Sequence, residues 1–242
     1  IFVCLAWGLG ECLDGRRASK VVAALVGGAT LLAGAELTRR QVNYWQDDFT
    51  LFGHALAVNE RNAPAHGGLG QAWAREGKYG FARVHCRAAV EANPSDWAAW
   101  HTLGDIDSLL GKPRAAIQNY KTALRWNPRS AQTWFKLGYA WATLGNLPEA
   151  IQNYQEALRR KPGLVAAHNN LGAVWLSLGK REDALKEFAE AVRLSPKSPE
   201  KHYNLGTTLT DSGKLAEGEA QLAEAVRLKP NYIEALKALA GV

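Results

Sequence analysis

The stretch AQTWFKLGYAWATLGNLPEAIQNYQEALRRKPGL, residues 131–164, carries two helical patterns with a break between them. From Ala131 to Leu144 the apolar residues Trp134, Leu137, Trp141 and Leu144 keep a helical period, and Gly145-Asn146 interrupts it. The pattern resumes from about Pro148 to Arg160, where Ala150, Ile151, Tyr154, Ala157 and Leu158 form one apolar stripe. A proline in the first turn of that second helix is harmless, because its missing N–H would have had no partner there. Lys161-Pro162 ends it, since a residue before proline is pushed out of the helical region. The block reads as a helical hairpin.

Working outward, the same pattern returns on both sides. Pro94, Pro128, Pro162, Pro196 and Pro230 follow one another at intervals of 34 residues. In the same register stand His66, Trp100, Trp134, His168 and His202. Leu69-Gly70, Leu103-Gly104, Leu137-Gly138, Leu171-Gly172 and Leu205-Gly206 come next, followed by Ala82, Ala116, Ala150, Ala184 and Gly218 and then by Ala89, Ala123, Ala157, Ala191 and Ala225. Period and columns resemble the tetratricopeptide repeat (TPR) family from about Ala63 to Tyr232. The resemblance implies an all-α fold, a right-handed superhelical solenoid of helical hairpins in which stacking supplies the stability that no single hairpin has. Its five repeats are 63–96, 97–130, 131–164, 165–198 and 199–232. Gly138 and Ala150 are expected where the two helices of a hairpin cross closely.

Residues 1–40 have another character. Val21 to Ala35 is an unbroken run of apolar and small residues, with Arg16, Arg17 and Lys20 before it and Glu36, Arg39 and Arg40 after it. Extended to Leu37 it spans about 26 Å as a helix, a little short of a bilayer core of roughly 30 Å. The expectation is a membrane helix or helical hairpin preceding the solenoid, with Ile1–Leu13 as the tail of an earlier, truncated span. A secretory signal ending at Ala33-Gly34-Ala35 and an apolar cap on the solenoid are the alternatives. The basic loop Arg16–Lys20 favours a cytoplasmic loop, which puts the repeats in the periplasm, outside the inner membrane of a bacterium. Residues 41–62 form a connector with an unpaired half-repeat helix, since Phe52 and Ala55 lie 34 residues before Cys86 and Ala89. Residues 233–242 start a sixth repeat. The absence of methionine and the start at Ile1 suggest an excerpt of a longer polypeptide.

The sequence RQVNYWQDDFTLFGHALAVNERNAPAH, residues 40–66, together with late membrane segments and the repeats, resembles bacterial membrane proteins akin to the protein O-mannosyltransferases. In those enzymes the catalytic acids lie in early external loops, and no residue of this chain corresponds to them. The residues themselves offer no catalytic set, cofactor motif or metal-ligand spacing. Cys86 stands where other repeats have Tyr120, Tyr154 and Phe188, so it reads as core. His66-Gly67-Gly68-Leu69-Gly70 sits inside a helix rather than after a strand, unlike a phosphate loop.

In arrays of this family, six positions of each first helix line the concave groove. One of them holds Gly68, Thr102, Lys136, Asn170 and Asn204. Asn170 and Asn204 resemble the asparagine ladder of O-linked N-acetylglucosamine transferase, whose amides hold an extended peptide by its backbone. An amide offers a donor and an acceptor, matching a peptide unit without regard to its side chain. His101, Asp105, Phe135, Tyr139, Asn169 and Tyr203 adjoin this column and complete the expected peptide-binding groove. The expected partners are extended or unstructured protein segments, with membrane lipid contacted through residues 1–40. The formal charge of +6 belongs wholly to the repeats, because residues 1–62 hold six basic and six acidic residues. The basic residues are scattered among acids and form no run, which argues against nucleic acid, and no small-molecule site is apparent. The functional expectation is a membrane-tethered, non-catalytic TPR scaffold that binds extended segments. The alternative is the substrate-presenting arm of an O-mannosyltransferase-like glycosyltransferase.

Overall fold

The computed structural model describes residues 15–44 and 46–241, which form thirteen helices and no strand. Two helices, α1 (Gly15–Tyr44) and α2 (Asp48–Val58), precede five hairpins. The hairpins are α3 (Ala63–Arg75) with α4 (Tyr79–Ala92), α5 (Trp97–Leu109) with α6 (Pro113–Trp126), and α7 (Ala131–Thr143) with α8 (Leu147–Arg160). They continue as α9 (Val165–Ser177) with α10 (Arg181–Leu194) and α11 (Pro199–Asp211) with α12 (Leu215–Leu228), and α13 (Ile233–Ala240) follows.

Every hairpin turns on a glycine. Gly77, Gly111, Gly145, Gly179 and Gly213 adopt φ between 68° and 79°, a left-handed conformation in which a Cβ would strain. After α7 the amide of Asn146 reaches back to the Trp141 carbonyl at 3.0 Å and that of Gly145 to Ala142 at 2.9 Å, which satisfies the last carbonyls of the helix. A second glycine series sets the crossing within each pair. A Cβ on Gly138 would lie 2.8 Å from the Tyr154 ring and 3.2 Å from the Ala150 carbonyl. A Cβ on Gly172 would lie 2.8 Å from Phe188. The large residue of the second helix therefore lies directly on the glycine of the first.

The cores lie between hairpins as much as within them. Ala116, Ile117, Tyr120 and Leu124 of α6 pack on Leu137 and Ala140 of α7, with Trp134 and Trp141 partly buried against them. Tyr154 of α8 packs in the same way with Leu171 and Val174 of α9, and Phe188 of α10 with Leu205 and Leu209 of α11. Each hairpin thus completes the core of its neighbour, and burial of apolar surface drives stacking. Cys86 is fully buried, and that burial pushes its thiol up to about 12.

The aromatic column at the fourth repeat position closes each block onto the last. The indole N–H of Trp100 donates to the Pro94 carbonyl at 3.0 Å, and that of Trp134 to Pro128 at 2.9 Å. His168 and His202 place Nε2 at 2.9 Å from the carbonyls of Pro162 and Pro196, and His66 does the same with Glu60. A carbonyl can only accept, so these imidazoles carry a proton on Nε2. Histidine replaces tryptophan here by offering the same N–H.

At the front, α2 caps the array. Phe52 occupies the space beside Gly68, Phe49 stacks on Trp73 with ring centroids 4.4 Å apart, and Asp48 pairs with Arg75. Among the described residues no helix is long and apolar enough to cross a membrane. The run Val21–Ala35 does become part of a helix, α1, but the spanning helix expected from the sequence lacks support. Its alanines and glycines add little apolar surface per residue, and charged residues bound it closely at Lys20 and Glu36. The expected earlier span at Ile1–Leu13 lies outside the described residues.

Candidate functional site

Successive first helices α3, α5, α7 and α9 touch one another, and no second helix makes comparable contact with another. The first helices therefore form the inner face and the second helices the outer one. The residues proposed from sequence for the groove all lie on first helices, but they differ in what they leave free.

At α5 and α7 the polar groups satisfy one another. Asp105 is the hub: Lys136 Nζ lies 3.1 Å from its Oδ1, His101 Nε2 3.5 Å from its Oδ2, and the Tyr120 hydroxyl donates to Oδ1 at 2.6 Å. Burial, reinforced by Asp105, raises the Tyr120 phenol above its usual range. Burial also lowers His101, an effect that Asp105 opposes and Lys136 assists, so its imidazole favours the neutral form. His101 Nδ1 lies 3.0 Å from the Thr133 hydroxyl. Thr102 is buried, and its hydroxyl donates to the Ala98 carbonyl one turn back at 2.9 Å. Lys136 thus ties two repeats together, and Thr102 faces its own helix.

Along α9 and α11 the residues of this set are uncharged. Asn204 Nδ2 donates to Asn169 Oδ1 at 2.8 Å across the repeat boundary, and Asn169 Nδ2 lies 3.4 Å from Asn170 Oδ1. Burial pushes the Tyr154 phenol up to about 12, an effect that the Asn170 amide partly offsets. Phe135 leans on Tyr154 with centroids 5.8 Å apart, Tyr139 is half exposed, and Tyr203 faces Tyr232 at 5.3 Å. The chain of amides therefore runs 204–169–170, using Asn169 as its bridge instead of following one repeat position. Chemically this surface offers amide donors and acceptors between aromatic faces, and none of the named residues of α7, α9 and α11 is acidic.

Two side-chain pairs escaped sequence reasoning. His66 and His85 bring their Nδ1 atoms to 3.0 Å, and His168 Nδ1 lies 2.6 Å from Glu187 Oε2. Both pairs span 19 residues, as do His202 and Gln221 at 2.7 Å. That recurrence in the 34-residue register was the available signal. Because His168 Nε2 already donates to Pro162, Nδ1 can donate to the Glu187 carboxylate only when the imidazole is protonated. The hydrogen bond to Glu187 accordingly raises the His168 pKa, against the opposing effect of burial.

Solved structures share this architecture. YrrB, a TPR protein with an unusual peptide-binding site, is 20% identical, and the match covers 77% of this chain and 96% of that one at a TM-score of 0.66. MamA is 19% identical over 71% of this chain and 94% of its own, at 0.63. TTC0263 of Thermus thermophilus, described as a thermophilic TPR protein, is 26% identical over 74% and 97%, at 0.56. No curated protein matches the sequence. Two family models described as tetratricopeptide repeat match residues 102–165 and 176–241, together more than half of the chain. With five hairpins stacked on one 34-residue register, the chain belongs to the tetratricopeptide repeat family.

Proposed function

We propose that the array is a non-catalytic scaffold that holds an extended protein segment along its inner face, centred on α9 and α11. The observation that carries this reading is the amide chain Asn204–Asn169–Asn170, which bridges two repeats. Asn204 directs its side-chain N–H at Asn169, and its side-chain oxygen Oδ1 has no protein partner among the described residues. A peptide backbone would complete that pattern. The peptide-binding site of YrrB supports the same use of the fold.

The test starts from ligands selected from a displayed library of unstructured peptides, measured by calorimetry on wild type and Asn170→Ala/Asn204→Ala. Each net hydrogen bond contributes about 0.5–1.5 kcal/mol, so the double change should cost about 1–3 kcal/mol, roughly five- to 150-fold in affinity. Unchanged affinity would remove the inner face from consideration.

The finer reading tethers this scaffold to a bacterial inner membrane through residues 1–40, with the repeats extracytoplasmic. Its support is the apolar run Val21–Ala35 with basic residues at both ends. The glycosyltransferase-arm alternative is supported by the resemblance over residues 40–66. Release of the full chain from membranes by alkaline carbonate would rule out a spanning tether. An alkaline phosphatase fusion after Val242, inactive where a cytoplasmic reporter is active, would reverse the orientation.

A further inference from the structure

At α6 the outer face lacks a charge pairing that the later repeats carry. In the last three repeats an acid pairs with a base three residues on, at one register: Glu156 with Arg159, Glu190 with Arg193 at 2.6 Å, and Glu224 with Arg227 at 2.6 Å. The same register in α6 holds Thr122 and Arg125. No acid occurs anywhere in α6, which carries Arg114, Lys121 and Arg125, all exposed. None of the three has an ion-pair partner among the described residues. Lys121 instead places Nζ 5.1 Å from the Trp141 ring.

This basic helix is one wall of a cleft of about 560 Å³. Lys121, Leu124 and Arg125 form that wall, Trp134, Leu137 and Trp141 the floor, and Glu149, Gln152 and Asn153 of α8 the opposite side. The matching cleft between α10 and α12 is floored by Leu205 and Leu209, and its walls mix Glu182 and Glu217 with Lys186 and Lys214. A tryptophan floor under a one-signed wall thus distinguishes the first cleft from the second.

We propose that the α6–α8 cleft docks an amphipathic helix of a partner protein, its apolar face on the partly exposed Trp134 and Trp141 and an acidic flank against Lys121 and Arg125. A helix fits better than an extended strand because both walls are helices whose backbone groups are already paired. An extended segment would find no main-chain partners here, whereas a helix satisfies its own backbone and binds through side chains. The sign of the partner follows from the unpaired cations. This site is on the face opposite the amide chain, so either can fail without the other.

The probe is a fluorescein-labelled peptide of roughly 15 residues, near the lower limit for an isolated helix. It carries leucines at helical spacing, glutamates along one flank and alanine elsewhere, with a lysine-for-glutamate twin as control. Anisotropy titration of the full chain should show binding of the glutamate peptide that weakens with salt, and no comparable binding of the twin. Lys121→Glu/Arg125→Glu should weaken it at least roughly tenfold. Thr122→Glu, which installs the acid that three other repeats carry, should weaken it by a smaller factor while the helix content and melting temperature hold. Asn170→Ala/Asn204→Ala should leave it unchanged. Equal binding of both peptides, no binding of the glutamate peptide, or loss of binding in the asparagine double variant would each overturn the proposal. So would Arg125-dependent flotation with phosphatidylglycerol vesicles while the peptide goes unbound, which would make this face a lipid contact.

Discussion

His168 shows how much a single side chain at a repeat position can alter. It does what Trp100 and Trp134 do, donating to the carbonyl of the proline six residues back, and then uses its other nitrogen on Glu187. The folded pKa is raised above the ordinary histidine value of 6.5. Protonation is thus favoured by folding, so the pair's stabilisation is fully present below about pH 6.5 and fades as pH rises through the higher folded pKa. Glu187→Gln copies the fifth repeat, where Gln221 faces His202, and should fold normally. Thermal melts of wild type and this variant should differ most on the acid side and converge above the folded pKa, and a gap that widened with pH would contradict the assignment. A single glycine is as informative. Gly138→Ala would press a methyl onto Tyr154 and the Ala150 carbonyl, and overpacking of this kind costs about 1–3 kcal/mol in urea denaturation. At Gly145, with φ of 75°, alanine meets open space, so its cost of about 1–2 kcal/mol is purely conformational.

At the scale of the helix, the hairpins were legible in the sequence because glycine, alanine and proline recur where the backbone and the crossing demand them. The expected helix from Ala131 to Leu144 ends at Thr143, and its partner starts at Leu147, one residue before Pro148. What the register could not show was which polar side chains spend themselves on each other. Thr102 and Lys136 share a column with Asn170 and Asn204. Yet Thr102 turns to its own helix and Lys136 to Asp105, because those partners come from neighbouring turns and neighbouring repeats. Asp107 was missed for a related reason. It stands where other repeats have Trp73, Trp141 and Trp175, and a search for like residues passes over the one that differs. It is buried, accepts from Asn119 at 2.8 Å, and has Arg83 at 3.7 Å. Helix starts give a further test at this scale: Asp96 Oδ1 accepts from the amides of Ala98 and Ala99, both at 3.1 Å. Asp96→Ala should lower stability by about 1 kcal/mol, read as a lower urea midpoint with unchanged slope.

For the whole molecule, the decisive property is that each core is shared by adjoining repeats. The cluster joining α6 to α7 has no side chain from α10 or α12, and the one joining α10 to α11 has none from α6. Contacts are between nearest neighbours, so stability should be close to a sum of repeat terms and interface terms. Deleting residues 165–198 removes α9 and α10 and joins Leu164 to Pro199 in register, so that α8 meets α11. The surfaces that then meet are of the same kind, since Tyr154 of α8 replaces Phe188 of α10 against Leu205 and Leu209 of α11. The shortened array should therefore still unfold cooperatively, with its urea slope reduced by about one fifth because one of five comparable hairpins no longer contributes exposed surface. It would also lose Asn169 and Asn170, and with them the proposed inner-face binding, while the α6–α8 cleft would stay intact. A collapse of all structure on this deletion would mean that the solenoid is held by long-range contacts, contrary to the packing between adjacent repeats. Retained inner-face binding would separate peptide recognition from the amide chain altogether.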